Sequence, residues 1–231
     1  MIVAIDGPAG SGKSTVAHAI ADRCGFTYLD TGAMYRCVTL ACLERGVDVN
    51  DSDAVAELAR DVRIEFGTDG QGQTVSLDGN DVTAAIRTPE VDRNVSIVSA
   101  VPAVREAMVI LQRAVGERGD VVAEGRDIGT VVYPNAEVKI FLTADAEARA
   151  HRRAVQREGK DAAHDSAAKA DAAQEQAILA DIIRRDKLDS SRETAPLRAA
   201  DDAHHIDSSN LGVDEVVDRI CVLIDEARAA R

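Results

Sequence analysis

The segment Gly7-Pro8-Ala9-Gly10-Ser11-Gly12-Lys13-Ser14-Thr15 follows directly on the apolar run Ile2-Val3-Ala4-Ile5 and precedes a helical pattern. A G-x-x-x-x-G-K-[ST] spacing between a strand and a helix is a phosphate-binding loop. Its glycines let consecutive backbone N–H groups turn inward around an anion, and the following helix points its positive end at the same place. All nine residues are candidate triphosphate contacts. Lys13 is expected to reach the β- and γ-phosphates, the Ser14 hydroxyl to ligate Mg²⁺, and Ser11 to cap the first helix.

The remainder of the chain alternates short β-branched runs with helical stretches, the pattern of an α/β fold around a parallel sheet. Core strands are predicted at Ile2–Ile5, Thr27–Leu29, Val121–Ala123, Val138–Leu142 and Ala203–Ile206, with helices near 13–24, 32–45, 102–116, 145–158, 174–189 and 213–228. The stretch 57–96 breaks the rhythm. Its runs Val62–Phe66, Thr74–Leu77 and Asp81–Val82 are separated by Gly67-Thr68-Asp69-Gly70-Gln71-Gly72 and Asp78-Gly79-Asn80, which are hairpin turn sequences. A small antiparallel insert results, either a substrate clamp or a passive decoration. From Lys160 to Gln176 the chain is alanine-rich and mixed in charge, as suits a lid or a surface helix.

With 231 residues there is room for one sizeable core and a small inserted subdomain. A net charge of −13 argues against broad binding to nucleic acid or anionic membrane, so an anionic ligand must be met by a local basic pocket. No apolar run is long enough to span a bilayer and no signal-peptide pattern opens the chain, so a soluble, cytoplasmic protein is expected. The cysteines Cys24, Cys37, Cys42 and Cys221 form no CxxC pair and read as buried, reduced thiols.

Three classes of protein use such a loop. A GTPase switch carries an N-K-x-D motif, absent here; a motor or transporter ends an apolar strand in an acid, which Val121-Val122-Ala123-Glu124 only partly fits. A small-molecule kinase needs arginines converging on the acceptor, and candidates stand at Arg36, Arg87, Arg105, Arg126, Arg185 and Arg192. An arginine taken alone is usually solvated. Context raises three groups: Asp30 to Arg36 after the second strand, Glu124-Gly125-Arg126-Asp127 after the third, and the dense mixture from Arg184 to Arg192. The first two open from carboxyl ends of strands, where ligands bind in this architecture. Guanidinium forks suit phosphate oxygens and carboxylates suit ribose hydroxyls.

These residues resemble the bacterial cytidylate kinases of the nucleoside monophosphate kinase family over nearly the whole chain. The resemblance rests on Ile5 to Thr15, Leu29 to Arg36, Ile86-Arg87-Thr88, Val104-Arg105, Glu124 to Val132, Lys139 to Leu142 and Arg185 to Arg192, of which Gly125-Arg126-Asp127-Ile128-Gly129-Thr130-Val131-Val132 is the most specific. It implies a P-loop NTPase fold: a parallel five-stranded sheet flanked by helices, an antiparallel monophosphate-binding insert at 57–96, a core of 1–56 and 97–231, and a helical lid at about 152–175. It also implies transfer of the γ-phosphoryl of Mg-ATP to CMP or dCMP by a monomer without nucleic-acid or membrane partners. Thr31, Ser96, Arg105 and Asp127 would read the cytosine edge. Arg36, Arg126 and Arg192 would clamp the acceptor phosphate and, with Lys13, serve catalysis, while Arg185 and Asp189 would contact the ribose. Thr31 stands where some members have Ser. Lid contacts would come from Arg152, Arg153 or Arg157. A kinase for UMP or a non-nucleotide acceptor, or a nucleotide-binding regulatory protein, are the alternatives. Because a phosphate monoester is largely deprotonated at pH 7, no general base is required, and the five histidines read as structural or solvent-facing.

Overall fold

The computed structural model describes residues 1–69, 72–157 and 171–231. The turn centre Gly70-Gln71, His164 and the 158–170 part of the expected lid lie outside the described residues. Along the chain the elements are β1 (Ile2–Asp6), α1 (Lys13–Cys24), β2 (Thr27–Asp30), α2 (Thr31–Arg45), α3 (Ser52–Asp61), β3 (Ile64–Asp69), β4 (Gly72–Leu77) and β5 (Asn80–Asp81). They continue as α4 (Pro89–Val98), α5 (Pro102–Gly116), β6 (Val121–Gly125), β7 (Val138–Thr143), α6 (Ala146–Arg157), α7 (Ala172–Ser190), β8 (His204–Asp207) and α8 (Val213–Ala229).

Five strands form one parallel sheet in the order β2-β6-β1-β7-β8, so the strand that feeds the phosphate loop sits at its centre. Register pairs Asp6 of β1 with Gly125 of β6 and with Phe141 of β7, which brings the chain after β1 and the chain after β6 to one sheet edge. The sheet belongs to a compact unit made of Met1–Leu29 and Arg118–Arg231. Its core joins Ile5, Ile20, Val122, Ile140, Leu142, Ile220 and Ile224, all 1% exposed or less, between the sheet and the helices α1 and α8. Each such side chain contributes about 2 kcal/mol by leaving water. A smaller cluster of Ala150, Ala154, Ile178 and Ile182 seals α6 against α7.

The second compact unit, Asp30–Glu117, is wider than the 57–96 insert read from the turns. It holds the antiparallel sheet β3-β4-β5 together with α2, α3, α4 and α5. The Asp78-Gly79 turn joins Leu77 to Asn80, and both central residues are left-handed, with φ of 52° and 83°. That is the geometry which matches the twist of a two-residue hairpin. Two helices here were not anticipated, although each carries a start signal. Asp51 accepts from the N–H of Ala54 at the head of α3, and Thr88 accepts from Val91 at the head of α4, with Pro89 in the first turn. Their apolar residues Val55, Leu58, Val91, Val95 and Val98 complete a core with Val38, Val75, Leu77, Ile86 and Met108.

Two further readings need correction. Ser11 does not cap α1: Gly12 occupies that position in a left-handed conformation at φ 91°, and no side chain bonds the first turn. Cys37 and Cys42 are buried, but Cys24 and Cys221 are only half-buried; all four are free thiols. Among the described residues no single helix is long and apolar enough to cross a membrane.

Gly7 shows how closely the sheet constrains the loop. Its φ is +152°, and a Cβ built there would stand 2.0 Å from the carbonyl oxygen of Leu142 on β7. Gly7→Ala is therefore expected to cost about 3 kcal/mol through strain and overpacking. Urea unfolding measures it; a midpoint unchanged from the wild type would contradict the close approach.

Candidate functional site: a phosphate loop and two sets of arginines

In the loop after β1, Gly7, Gly10 and Gly12 all have positive φ, the alternation that folds a backbone into an anion-binding nest. Three of its carbonyls are met by side-chain donors. Lys13 Nζ donates to Pro8 O at 2.7 Å, Arg149 Nη1 to Ala9 O at 3.0 Å and Ser208 Oγ to Ser11 O at 3.1 Å. Ser208 is itself met by Arg152 Nη1 at 3.2 Å and lies 4% exposed. Lys13 is buried and also lies 3.4 Å from Ser11 Oγ. It is thus folded back on its own loop. Ser14 and Thr15 are exposed at the uncapped start of α1. Among the described residues no group of three or more His, Cys, Asp or Glu is placed to hold a metal, and the exposed Ser14 hydroxyl is an oxygen donor of the type magnesium takes.

Asp6 ends β1 and is 3% exposed. Its two carboxylate oxygens accept one bond each, from the N–H groups of Ile128 and Gly129, both at 2.7 Å. The loop after β6 is thereby fastened beside the phosphate loop. Ile128–Val132 forms a π-helical turn, closed by bonds from Val132 N to Asp127 O at 3.2 Å and Tyr133 N to Ile128 O at 2.7 Å. Such turns are uncommon and gather at functional sites. Gly129 leaves room for Asp6 and Lys139: a Cβ there would stand 3.2 Å from Lys139 Cδ and 3.4 Å from Asp6 Oδ2. Asp127, the candidate base reader, is 4% exposed directly before this turn. Glu124, which raised the motor-like reading, accepts a bond from the hydroxyl of Tyr28.

Burial pushes Asp6 up to about 6, against the opposing pull of the two N–H bonds; Asp127 raises it further and Lys13 lowers it. Asp189 shows the reverse balance. Burial raises it, but the guanidinium groups of Arg126, Arg192 and Arg185 prevail and hold the carboxyl below the usual range. Arg126 Nε donates to Asp189 Oδ2 at 3.0 Å, and Arg192 Nε to Asp189 O at 3.2 Å. The four candidates Arg126, Arg185, Asp189 and Arg192 are thus one cluster, built from the end of β6 and the last turn of α7.

The second unit carries Thr31, Arg36, Ser96 and Arg105. Asp30 caps α2 by accepting from the N–H of Ala33 at 3.0 Å, and its other oxygen lies 3.3 Å from Arg87 Nη2. Thr31 follows, 3% exposed. Arg36, one turn on, donates to Asp92 of α4 and, at 2.9 Å, to the carbonyl of Ile86. Arg105, 3% exposed on α5, lies 5.2 Å over the ring of Tyr35 and donates to Ser99 O at 3.1 Å. Ser99 Oγ bonds in turn to the carbonyl of Ser96, itself buried. Arg105, Tyr35, Ser99 and Ser96 thereby form one polar chain inside this unit.

Several residues of these arrangements escaped sequence reasoning: Asp6, Asp92, Arg149 and Ser208. Asp6 had a signal, an acid closing an otherwise apolar central strand. The others act through partners distant in sequence. The four described histidines stand outside both sets. His18 stacks on Tyr28, His151 meets Glu175, and His204 and His205 are exposed.

The sequence profile of the family described as Cytidylate kinase matches residues 3–226. A cytidylate kinase of Rhodococcus opacus (strain B4) is 51% identical over 98% of this chain and 95% of its own length. One of Geobacillus kaustophilus (strain HTA426) is 50% identical over 97% and 96%. Among solved structures, an uncharacterized protein from Eubacterium ventriosum ATCC 27560 covers 97% of this chain and 98% of its own at a TM-score of 0.51 with 15% identity, a likeness of fold alone.

The state of Asp6 has a consequence for stability. Its folded value lies above its unfolded one, so between about pH 6 and pH 4 the folded protein holds a proton that the unfolded chain releases. The contribution of Asp6 to stability therefore grows as pH falls through this window. Relative to Asp6→Asn, the unfolding free energy of the wild type is expected to rise by up to about 3 kcal/mol from pH 7.5 to pH 4. Denaturant titrations at both pH values measure it, and a constant difference would mean that Asp6 ionises normally.

Proposed function

The chain belongs to the cytidylate kinase family, and from that premise we propose that it catalyses ATP + CMP ⇌ ADP + CDP, with dCMP as a second acceptor. The observation that carries the reading is the Asp6 bridge: one buried carboxylate fastens the segment after Arg126 and Asp127 to the strand that feeds the phosphate loop. A donor loop and a Gly-Arg-Asp acceptor motif held on adjacent strands are what direct phosphoryl transfer demands. Two reactants held in line gain most of their advantage from position.

In this reading Gly7 to Thr15 bind ATP, with Lys13 turning from Pro8 O to the β- and γ-phosphates. Ser14 would hold Mg²⁺, which neutralises charge on the phosphates when bound. The attacking atom is a CMP phosphate oxygen, already deprotonated at neutral pH, so no side chain has to accept a proton. Arg36, Arg126 and Arg192 serve the acceptor phosphate. Each is held by protein oxygen atoms: Arg36 by Asp92 and Ile86, Arg126 by Asp189 and Gly125, Arg192 by Asp189. Thr31, Ser96, Arg105 and Asp127 read the base, and Arg185 and Asp189 take the ribose. The insert at 57–96 and a lid at about 152–175 serve to exclude water, which would otherwise compete as acceptor. A monomer in the cytoplasm, where both substrates are available, completes the reading.

ADP release measured across CMP, dCMP, UMP, AMP and shikimate tests it. CMP and dCMP are expected to exceed AMP and shikimate at least a hundredfold in kcat/KM, and comparable rates across the panel would overturn the assignment. Arg126→Ala is expected to lower the CMP rate about a hundredfold or more, the usual loss for a donor that acts on the transition state. Asp127→Ala should erode the preference for CMP over AMP; an intact preference would remove Asp127 from base recognition.

A further inference from the structure

One buried arginine has no role in the scheme above. Arg149 stands in the first turns of α6 and is 5% exposed. Its guanidinium makes three separate contacts: Nε donates to Ala144 O at 2.9 Å, Nη1 to Ala9 O of the phosphate loop at 3.0 Å, and Nη2 to Asp186 Oδ2 of α7 at 2.7 Å. Its Cβ and backbone also close against the loop, since a Cβ on Gly10 would stand 3.3 Å from Arg149 Cβ. A planar guanidinium with five donors in fixed directions can hold three groups in one geometry, which an ammonium cannot.

The partner on α7 extends the connection. Asp186 and Asp189 are three residues apart and so share a helix face. Asp186 receives Arg149, which holds the phosphate loop, and Asp189 receives Arg126, which stands just before the Ile128-Gly129 segment fastened by Asp6. Asp186 Oδ1 is buried without a hydrogen bond among the described residues, so Arg149 is what holds this carboxylate in place. Through one turn of α7 the shape of the donor loop and the position of Arg126 are set by the same helix.

We propose that Arg149 is a positioning residue for phosphoryl transfer, which shapes the donor loop at Ala9 and, through the Asp186–Asp189 turn of α7, registers that loop against Arg126. The inference rests on the kinase reading above. A displacement of α7 is then felt by both ends, so occupancy of the donor site changes the affinity for the acceptor and the reverse holds by linkage.

Titration calorimetry with MgADP and CMP, singly and together, tests this on the wild type, Arg149→Lys and Asp186→Asn. Arg149→Lys is expected to weaken MgADP at least tenfold and to leave CMP alone within twofold, a split that general destabilisation does not produce. Asp186→Asn keeps the Arg149–Ala9 bond, so MgADP alone should stay within threefold. The factor by which bound MgADP alters CMP affinity should fall to a third or less of the wild-type factor. MgADP affinity within twofold of wild type in folded Arg149→Lys overturns the loop-shaping role. An unchanged factor in Asp186→Asn, or a wild-type factor of one, overturns the link through α7. Should Arg149→Lys fail to fold, Asp186→Asn still decides. A wild type that binds MgADP and turns over no CMP would defeat the kinase reading instead, and the MgADP arm on Arg149 would remain decisive.

Discussion

A phosphate loop binds an anion only while its carbonyls are kept turned away, and here the carbonyls of Pro8, Ala9 and Ser11 are each held by a donor, two of them from distant parts of the chain. Lys13 holds Pro8, Arg149 of α6 holds Ala9, and Ser208 after β8 holds Ser11. Leu142 of β7 closes the approach to Gly7. The sheet order explains why these can meet: β1 is central, β7 is its neighbour, and β8 is next to β7, so the segments that follow all three strands emerge together. Ile5, Ile140, Leu142, Ile220 and Ile224 hold that order in place by burial.

The protein must also bring two polyanions together while carrying a net charge of −13. In each unit the arginines lie against carboxylates. Asp92 holds Arg36, and Asp189 gathers Arg126, Arg185 and Arg192. A bare cluster of guanidinium groups would repel itself and wander; a carboxylate fixes its geometry. Burial raises a carboxyl, and at Asp6 two N–H bonds and Lys13 do not bring it back to the ordinary range, whereas at Asp189 the guanidinium groups prevail.

Much of this was legible in the chain. The loop, the five core strands, the hairpin at Asp78-Gly79 and the candidate arginines follow from spacing and from local chemistry. Helices α3 and α4 were missed because the turn residues of the hairpins dominated that stretch, although Asp51 and Thr88-Pro89 announced both starts. Ser11 was mistaken for a cap because it precedes a helix; Gly12 takes the place, and the first turn is left without a side-chain bond, as an anion site requires. Asp92, Arg149 and Ser208 could not be read, since each acquires its meaning only from a partner 56 residues or more away, or on another helix. The roles expected of Thr31, Ser96 and Arg105 came from resemblance; the fold adds that all three are buried, with Arg105 over Tyr35 and Ser96 and Arg105 both bonded to Ser99.

The loop's built shape can be measured without catalysis, by amide hydrogen exchange resolved residue by residue from Gly10 to Thr15. With MgADP bound, the amides of Gly10, Gly12 and Ser14 should exchange at least ten times more slowly, while CMP alone should leave them unchanged. No protection by MgADP, or equal protection by CMP alone, would contradict a loop held open for the phosphates of the donor.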